Sequence, residues 1–364
     1  MYAKAHIRSM APYIPGFQPE AEQQVIKLNS NENPYPPSPD VRKALAGFDY
    51  ALLRRYPNAT AEPVREVLAD IYGVNRNQVF CGNGSDEIIS LLFKAFLEEG
   101  STIALPYPTY SLYRTAADIH RVHCEFVPTR EDFSIDTEAL LAVPSQAIIL
   151  VNPNAPTGLL VSVDAIEELA GRYKGLLIVD EAYIDFADGE ASALRLIGRC
   201  PNLLILRTLS KSYSLCGIRF GYAFADEALI EALDKCKDSY NVSMLTQTIA
   251  AAALRDRSYF GETVGRIRAS RSSLGGSLRS LGFAVPDSET NFLLCTPPAG
   301  SGLSARRITE WLAERYVYIR HFDSPLLEDK IRISIGTEEE NLKLLTLLKE
   351  LLNRPEDETA PSED

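Results

Sequence analysis

No apolar run in this 364-residue chain approaches the roughly 20 residues that a membrane-spanning helix needs, so no helical membrane span is expected. The first ten residues, Met1 to Met10, carry a few charges with no apolar stretch behind them. A secretory signal is therefore not expected, and the chain reads as cytoplasmic. Clusters of Lys and Arg are also missing, and 37 basic against 49 acidic residues leave a net charge of −12. That balance excludes nucleic acid as the expected partner, because neutralising phosphates takes clustered positive charge. The six cysteines (Cys81, Cys124, Cys200, Cys216, Cys236, Cys295) include no C-x-x-C pair. A chain this long folds without disulfide staples, so reduced thiols are expected. Histidine is scarce too. His120-x-x-His123 with Cys124 has metal-like spacing, but Val122–Val127 alternates as a strand does, so no metal site is expected. The single tryptophan, Trp311, falls in a helical pattern with Ile308 and Leu312 and reads as core. No internal repeat is visible.

With 46% hydrophobic and 24% charged residues, the composition is that of a soluble globular protein, and the length suits two lobes around a shared site. Residues 1–40 hold Pro12, Pro15, Pro19, Pro34, Pro36, Pro37 and Pro39, which suggests an extended arm. From 41 to 250, short apolar runs alternate with helical patterns, as in βα units feeding a mainly parallel sheet. Strands are expected at Gln78–Cys81, Thr102–Leu105, Ala147–Val151, Leu176–Val179 and Leu203–Leu206. A helical pattern runs from Thr246 to Leu281. After it, strands at Asn291–Cys295 and Ile331–Ile335 and a helix over Glu338–Leu352 predict a smaller α+β lobe, 251–354. The last ten residues, 355–364, read as a disordered acidic tail.

In an open α/β sheet, ligands bind beyond the carboxyl ends of the strands, so the residues just after each apolar run are the candidates. Gly82-Asn-Gly-Ser-Asp-Glu87 follows a strand and opens a helix, so Gly84, Ser85 and Asp86 present backbone N–H groups to an anion such as phosphate. A plain capped loop with Asp86 near the N-cap explains the same residues. Asp180 closes the run Gly175–Val179, where a buried carboxylate could meet a pyridinium nitrogen or simply cap the next helix. Lys211 lies among hydroxyls in Arg207–Arg219. An uncharged lysine amine forms an imine with an aldehyde, while Thr208, Ser210 and Arg219 could hold a phosphate. A lone lysine in a loop is ordinarily a solvated surface charge. Here it sits one αβ unit from Asp180, and the two explain each other.

These segments resemble the class I/II, fold-type I pyridoxal-5'-phosphate aminotransferases, and among them the histidinol-phosphate aminotransferase branch. Further matching stretches are Lys27–Pro36, Arg55-Tyr-Pro57, Pro108-Thr-Tyr110, Val179–Tyr183 and Ile331-Arg-Ile333. The resemblance implies an α/β fold, with a large domain built on a mainly parallel seven-stranded sheet between helices and a smaller α+β domain. It implies pyridoxal phosphate on Lys211 and transamination between glutamate and a phosphorylated amino alcohol, histidinol phosphate. By the same resemblance Tyr110 stacks on the cofactor ring, Tyr183 bonds its 3-oxygen, and Ser85, Asp86, Ser210 and Arg219 line the phosphate end. Tyr56 is expected to reach the other subunit's cofactor, which makes the enzyme a homodimer with shared sites. Arg332 should pair with the glutamate carboxylate and the substrate phosphate, with Arg320, Tyr13 and Tyr240 nearby. Threonine-phosphate decarboxylases and aromatic-amino-acid aminotransferases share much of this pattern, and a ligand-sensing regulator is a further reading.

One position departs from the family. In Asn152-Pro-Asn-Ala-Pro-Thr-Gly158 the usual asparagine before Pro-Thr-Gly is Ala155, which removes a hydrogen bond to the 3-oxygen unless Asn154 takes its place.

Overall fold

The computed structural model describes residues 2–14, 16–19 and 25–354; the acidic tail read at 355–364 lies outside the described residues. A short strand, β1 (Ile26–Lys27), precedes seven strands of one sheet: β2 (Val79–Gly82), β3 (Thr102–Tyr107), β4 (His123–Pro128), β5 (Ala147–Val151), β6 (Leu176–Asp180), β7 (Leu203–Thr208) and β8 (Gly221–Ala225). Four strands follow: β9 (Phe292–Cys295), β10 (Val317–Tyr318), β11 (Arg320–His321) and β12 (Ile331–Ser334). The large sheet has the order β2-β8-β7-β6-β5-β3-β4, with β8 antiparallel to both neighbours and the other pairings parallel. β11, β12 and β9 form an antiparallel sheet, and β1 pairs with β10.

The five expected strands of the large sheet are present, and four extend past their expected carboxyl ends, to Gly82, Tyr107, Asp180 and Thr208. Their near-continuous Ile, Leu and Val fill both faces, as strands buried on two sides require. Along β5, Ala147, Ile149 and Val151 enter one buried cluster, and Ile148 and Leu150 enter another on the opposite face. Each fully buried Leu or Ile contributes roughly 1.5–3 kcal/mol. The first cluster continues into the C-terminal part, where Phe292, Ile331, Ile333 and the fully buried Trp311 belong to it. β8 had no forecast from sequence. Its run Gly-Tyr-Ala-Phe-Ala is short and low in β-branched residues, yet every one of its residues is buried between β2 and β7.

Two expectations are corrected. The single helical pattern from Thr246 to Leu281 is two helices, Met244–Arg255 and Arg257–Ser280, divided at Asp256, whose carboxylate accepts the Tyr259 N–H at 3.1 Å and caps the second. The first 40 residues are not uniformly extended. They hold a short helix at Ala5–Ser9 and β1, and Pro39 opens the helix Pro39–Ala46 behind the cap residue Ser38, since proline suits the first turn. Among the described residues no helix is long and apolar enough to cross a membrane.

Candidate active site

Sheet register brings the candidate segments to one edge. Gly221, the first residue of the antiparallel β8, pairs with Gly82 at the end of β2 and with Thr208 at the end of β7. Asp180 ends β6 between Val151 of β5 and Leu206 of β7. The loops after Gly82, Asp180 and Thr208 therefore open on the same side.

The first loop is shaped by close approach. Gly84 has φ +84° and caps the helix Ser85–Phe96; a Cβ there would lie 2.8 Å from Arg219 Nη2. A Cβ on Gly221 would lie 2.4 Å from the Ser85 nitrogen. Glycine at both places lets Arg219 and the helix start converge. The N-cap is thus Gly84, and Asp86, read as near the cap, lies in the first turn, where it accepts from Arg219 Nη2 at 3.1 Å. Thr208 Oγ1 donates to Ser210 Oγ at 2.9 Å and accepts the Ser210 N–H at 3.1 Å. A helix N-terminus, two hydroxyls and a guanidinium make a seat for a phosphate.

Lys211 Nζ donates to the Ser30 carbonyl at 3.2 Å, and its own carbonyl accepts from Asn33 Nδ2 at 3.1 Å. It lies 5.8 Å from the centre of the Tyr183 ring. The Asp180 carboxyl is buried, accepting from Tyr113 Oη at 2.8 Å and from the Ala182 N–H at 3.1 Å. Burial pushes its pKa up to about 6, against the pull of those two bonds. Tyr183 Oη accepts from Asn31 Nδ2 at 2.9 Å.

On the other side, Arg320 and Arg332 face each other across β11 and β12. Like charges directly opposite repel, so an anion between them would be welcome. Arg332 Nη2 donates to the Asn29 carbonyl at 3.0 Å, while its buried Nε has no partner among the described residues. Burial first, and Arg320 among the charges around it, lower the Arg332 pKa. Tyr13 meets Tyr110 edge-on at 6.3 Å, and Tyr110 meets Tyr113 the same way at 6.2 Å. Tyr13, Ser111 and Arg320 also line a neighbouring cleft of about 650 Å³.

Tyr56 and Tyr240 are placed apart from this cluster, stacked on each other at 4.4 Å and exposed, at 77% and 46%. Asn241, next to Tyr240, ties that pair to the first loop through Glu87, at 2.9 Å. Asn154 does not stand in for the missing asparagine. Its Nδ2 donates to Pro108 O and Thr157 Oγ1 at 3.0 and 2.9 Å, and its Oδ1 accepts from Thr109, which uses the amide up inside its own loop. Ala155 is buried and offers only a methyl. His120, one of the three residues with metal-like spacing, is stacked on Phe93 at 5.7 Å.

Sequence reasoning missed Tyr113, Asn31 and Asn33. Tyr113 carried a signal, since it follows Tyr110 by one helical turn. The alternation in Asn29-Ser-Asn-Glu-Asn33 was visible, but which groups its amides would meet depends on contacts more than 150 residues away in the chain.

The model of the family "Aminotransferase class I and II" matches residues 23–348. "Histidinol-phosphate aminotransferase 1" of Nostoc sp. is 42% identical over 96% of this chain and 98% of its own length. The histidinol-phosphate aminotransferase of Geobacter sulfurreducens is 42% identical over 96% of this chain and 99% of its own. Among solved structures, the histidinol-phosphate aminotransferase of Sinorhizobium meliloti in complex with pyridoxal-5'-phosphate has a TM-score of 0.89 at 25% identity, covering 96% of this chain and 97% of that one.

Proposed function

The chain belongs to the class I and II aminotransferase family, and from that premise we propose that it is a pyridoxal-phosphate enzyme moving an amino group between glutamate and imidazole-acetol phosphate, to give 2-oxoglutarate and histidinol phosphate. The observation that carries this reading is the pair Asp180 and Lys211. A buried carboxyl with no cation among its partners ends one strand, and a lysine follows the adjoining strand by three residues. The substrate is supported by relatives of that name at 42% identity over nearly the whole chain.

The residues present fit the cofactor. Among the described residues Asp180 has no positive partner of the kind a ring N–H would supply, and Gly84 and Gly221 hold open a cradle that a Cβ would fill. When bound, pyridoxal phosphate supplies an aldehyde that condenses with amines and a ring that withdraws electrons from the substrate's α-carbon. Asp180 holds the proton on the ring nitrogen. Ser85, Thr208, Ser210, Arg219 and the N–H groups beyond Gly84 hold the phosphate. Tyr110 packs on the ring face, and Tyr183 donates to the 3-oxygen. Lys211 would hold the cofactor through its amine, and the same amine would move the proton at the substrate α-carbon. Arg332, with Arg320 and Tyr13, grips the glutamate carboxylate or the substrate phosphate, since one guanidinium fork fits both.

The enzyme works, on this proposal, as a cytoplasmic homodimer in which Tyr56, beside Tyr240, completes the partner's site; the exposure of this stacked aromatic pair supports that. Residues 1–40 act as an arm, 41–250 as the cofactor-binding domain and 251–354 as a smaller substrate-side domain. The large sheet falls in the second span and the three-stranded sheet in the third, which supports the division.

The test follows the cofactor's absorbance while glutamate, histidinol phosphate and threonine phosphate are offered in turn. Glutamate and histidinol phosphate should each convert the cofactor to its amine form, and double-reciprocal plots should be parallel. Release of carbon dioxide from threonine phosphate, with no conversion by histidinol phosphate, would replace this reading by a decarboxylase. Arg332→Ala should weaken both substrates, and Arg332→Lys should restore little.

A further inference from the structure

Three consecutive residues of the N-terminal segment each hold a different group of the site. The Asn29 carbonyl accepts from Arg332 Nη2 at 3.0 Å, the Ser30 carbonyl accepts from Lys211 Nζ at 3.2 Å, and Asn31 Nδ2 donates to Tyr183 Oη at 2.9 Å. The first two are backbone contacts that any side chain permits. The third depends on asparagine.

Asn31 is 2% exposed and has φ +55°, a left-handed conformation that asparagine tolerates. Its backbone N–H donates to Ser334 Oγ at 2.9 Å, and its carbonyl accepts from Asn291 Nδ2 at 3.0 Å. Because a backbone N–H can only donate, Ser334 Oγ is an acceptor there, and its own hydrogen is free to go to Asn31 Oδ1 at 3.1 Å. The oxygen side of the amide then faces Ser334, and the NH₂ side faces Tyr183. Among the described residues Asn31 is the only hydrogen-bond partner of the Tyr183 hydroxyl. A hydroxyl that accepts from behind must send its own hydrogen elsewhere. Lys211 Nζ, where the cofactor would be carried, lies 5.8 Å from the centre of the same tyrosine ring.

We propose that Asn31 is a positioning residue that makes the Tyr183 hydroxyl an obligate hydrogen-bond donor toward the 3-oxygen of the cofactor. This rests on the aminotransferase reading. It assigns the polarity of that bond to a relay that starts at a backbone N–H and runs through Ser334 and the Asn31 amide. Ser334 lies two residues from Arg332 on β12, so the strand bearing the anion-binding arginine also sets the direction of the tyrosine proton.

The test uses the holoenzyme and reads the midpoint of the pH titration of the lysine-bound cofactor's visible absorbance. A donor to the 3-oxygen stabilises its anion, so a donor whose direction is no longer fixed raises the midpoint. Asn31→Gly keeps the left-handed backbone and both backbone bonds while removing the amide. It should raise the midpoint by a few tenths to about one pH unit in the Tyr183 enzyme, and by nothing in a Tyr183→Phe enzyme. Asn31→Asp keeps the volume but offers only acceptors, and should raise the midpoint further, with part of the rise lost in the Tyr183→Phe background. Equal shifts with and without the tyrosine hydroxyl, or no shift in the Tyr183 enzyme, would overturn the proposal. A wild-type protein that takes up no pyridoxal phosphate would overturn the functional reading and this proposal together, and that outcome is recognised before any variant is made.

Discussion

Asp180 and Glu181 are neighbours in the chain, both buried, and the two sides of the β6 end treat them in opposite ways. Glu181 accepts from Arg207 Nε and Nη2 at 3.0 and 2.8 Å, from Ser192 Oγ at 2.8 Å and from the Ala193 N–H at 2.7 Å. Arg207 is itself buried and lies over the Tyr72 ring at 4.9 Å. That carboxylate has a cation and a full set of donors inside the protein. Asp180 has a phenol and one backbone N–H, no cation, and a pKa pushed up to about 6. A buried ionised group is kept only when it is paired or when its cost is recovered by function. The difference teaches that burial of a carboxylate is not by itself the mark of a site. What marks Asp180 is a partner that the fold leaves to be supplied.

The same contrast separates Lys211 from Arg207, two cations of one segment. Lys211→Ala should bring transamination down to background while thermal unfolding of the cofactor-free protein stays near that of the cofactor-free parent, because the hydrogen bond lost there is the one to the Ser30 carbonyl. Near-normal turnover in that variant would place Lys211 with Arg207 among the structural cations. Glu181→Gln should do the reverse. Removing the nearer of the two carboxylates beside buried Arg207, with Asp185 left at 3.7 Å, costs up to about 3–5 kcal/mol, so loss of stability in a denaturant melt should precede any specific loss of activity.

Asp180→Asn sharpens the comparison through pH. A raised carboxyl pKa in the folded state means that folding favours the protonated form. Stability is then lost as pH rises from the unfolded value through about 6, and the loss is complete above it. An amide carries no such charge; its oxygen keeps the Ala182 N–H and its NH₂ donates to Tyr113 Oη, a hydroxyl that can accept. The cofactor-free variant should therefore be more stable than the parent at pH 7.5, by on the order of 3 kcal/mol, with the gain shrinking toward pH 4. Its turnover should fall by orders of magnitude, since nothing then holds the ring proton. Equal melting curves across pH would mean that Asp180 is as well served as Glu181.

The smallest expected effect lies at the phosphate end. Gly84→Ala meets Arg219 Nη2 and a φ of +84° at once. It should weaken pyridoxal phosphate binding about tenfold, roughly 1.4 kcal/mol, in a fluorescence titration of the cofactor-free protein, beside a loss of stability of about 1–3 kcal/mol from holding alanine at that φ. Unchanged affinity would show that Arg219 swings away freely and that the close approach is incidental.

The sequence alone determined the strands that carry the site. Their apolar runs are continuous because both faces are buried, and each run ends abruptly at a polar residue, so Asp180, Thr208 and the loops leading to Ser85 and Lys211 stood out. Helices with clear caps, such as Glu338–Leu352 behind Thr337, were legible for the same reason: hydrophobic period and capping are local properties. The tertiary structure decided the rest. Whether Gly-Tyr-Ala-Phe-Ala formed a strand and whether Asn154 had an amide to spare depended on neighbours distant in the chain, whereas the break at Asp256 is a local cap onto Tyr259 that the helical pattern hid. The partners of Asp180 and Glu181 likewise depended on distant neighbours. Local sequence fixes which groups are present at a strand end, but a hydrogen bond or ion pair is a relation between two positions, and only packing brings Asn31 to Tyr183 across 152 residues of chain.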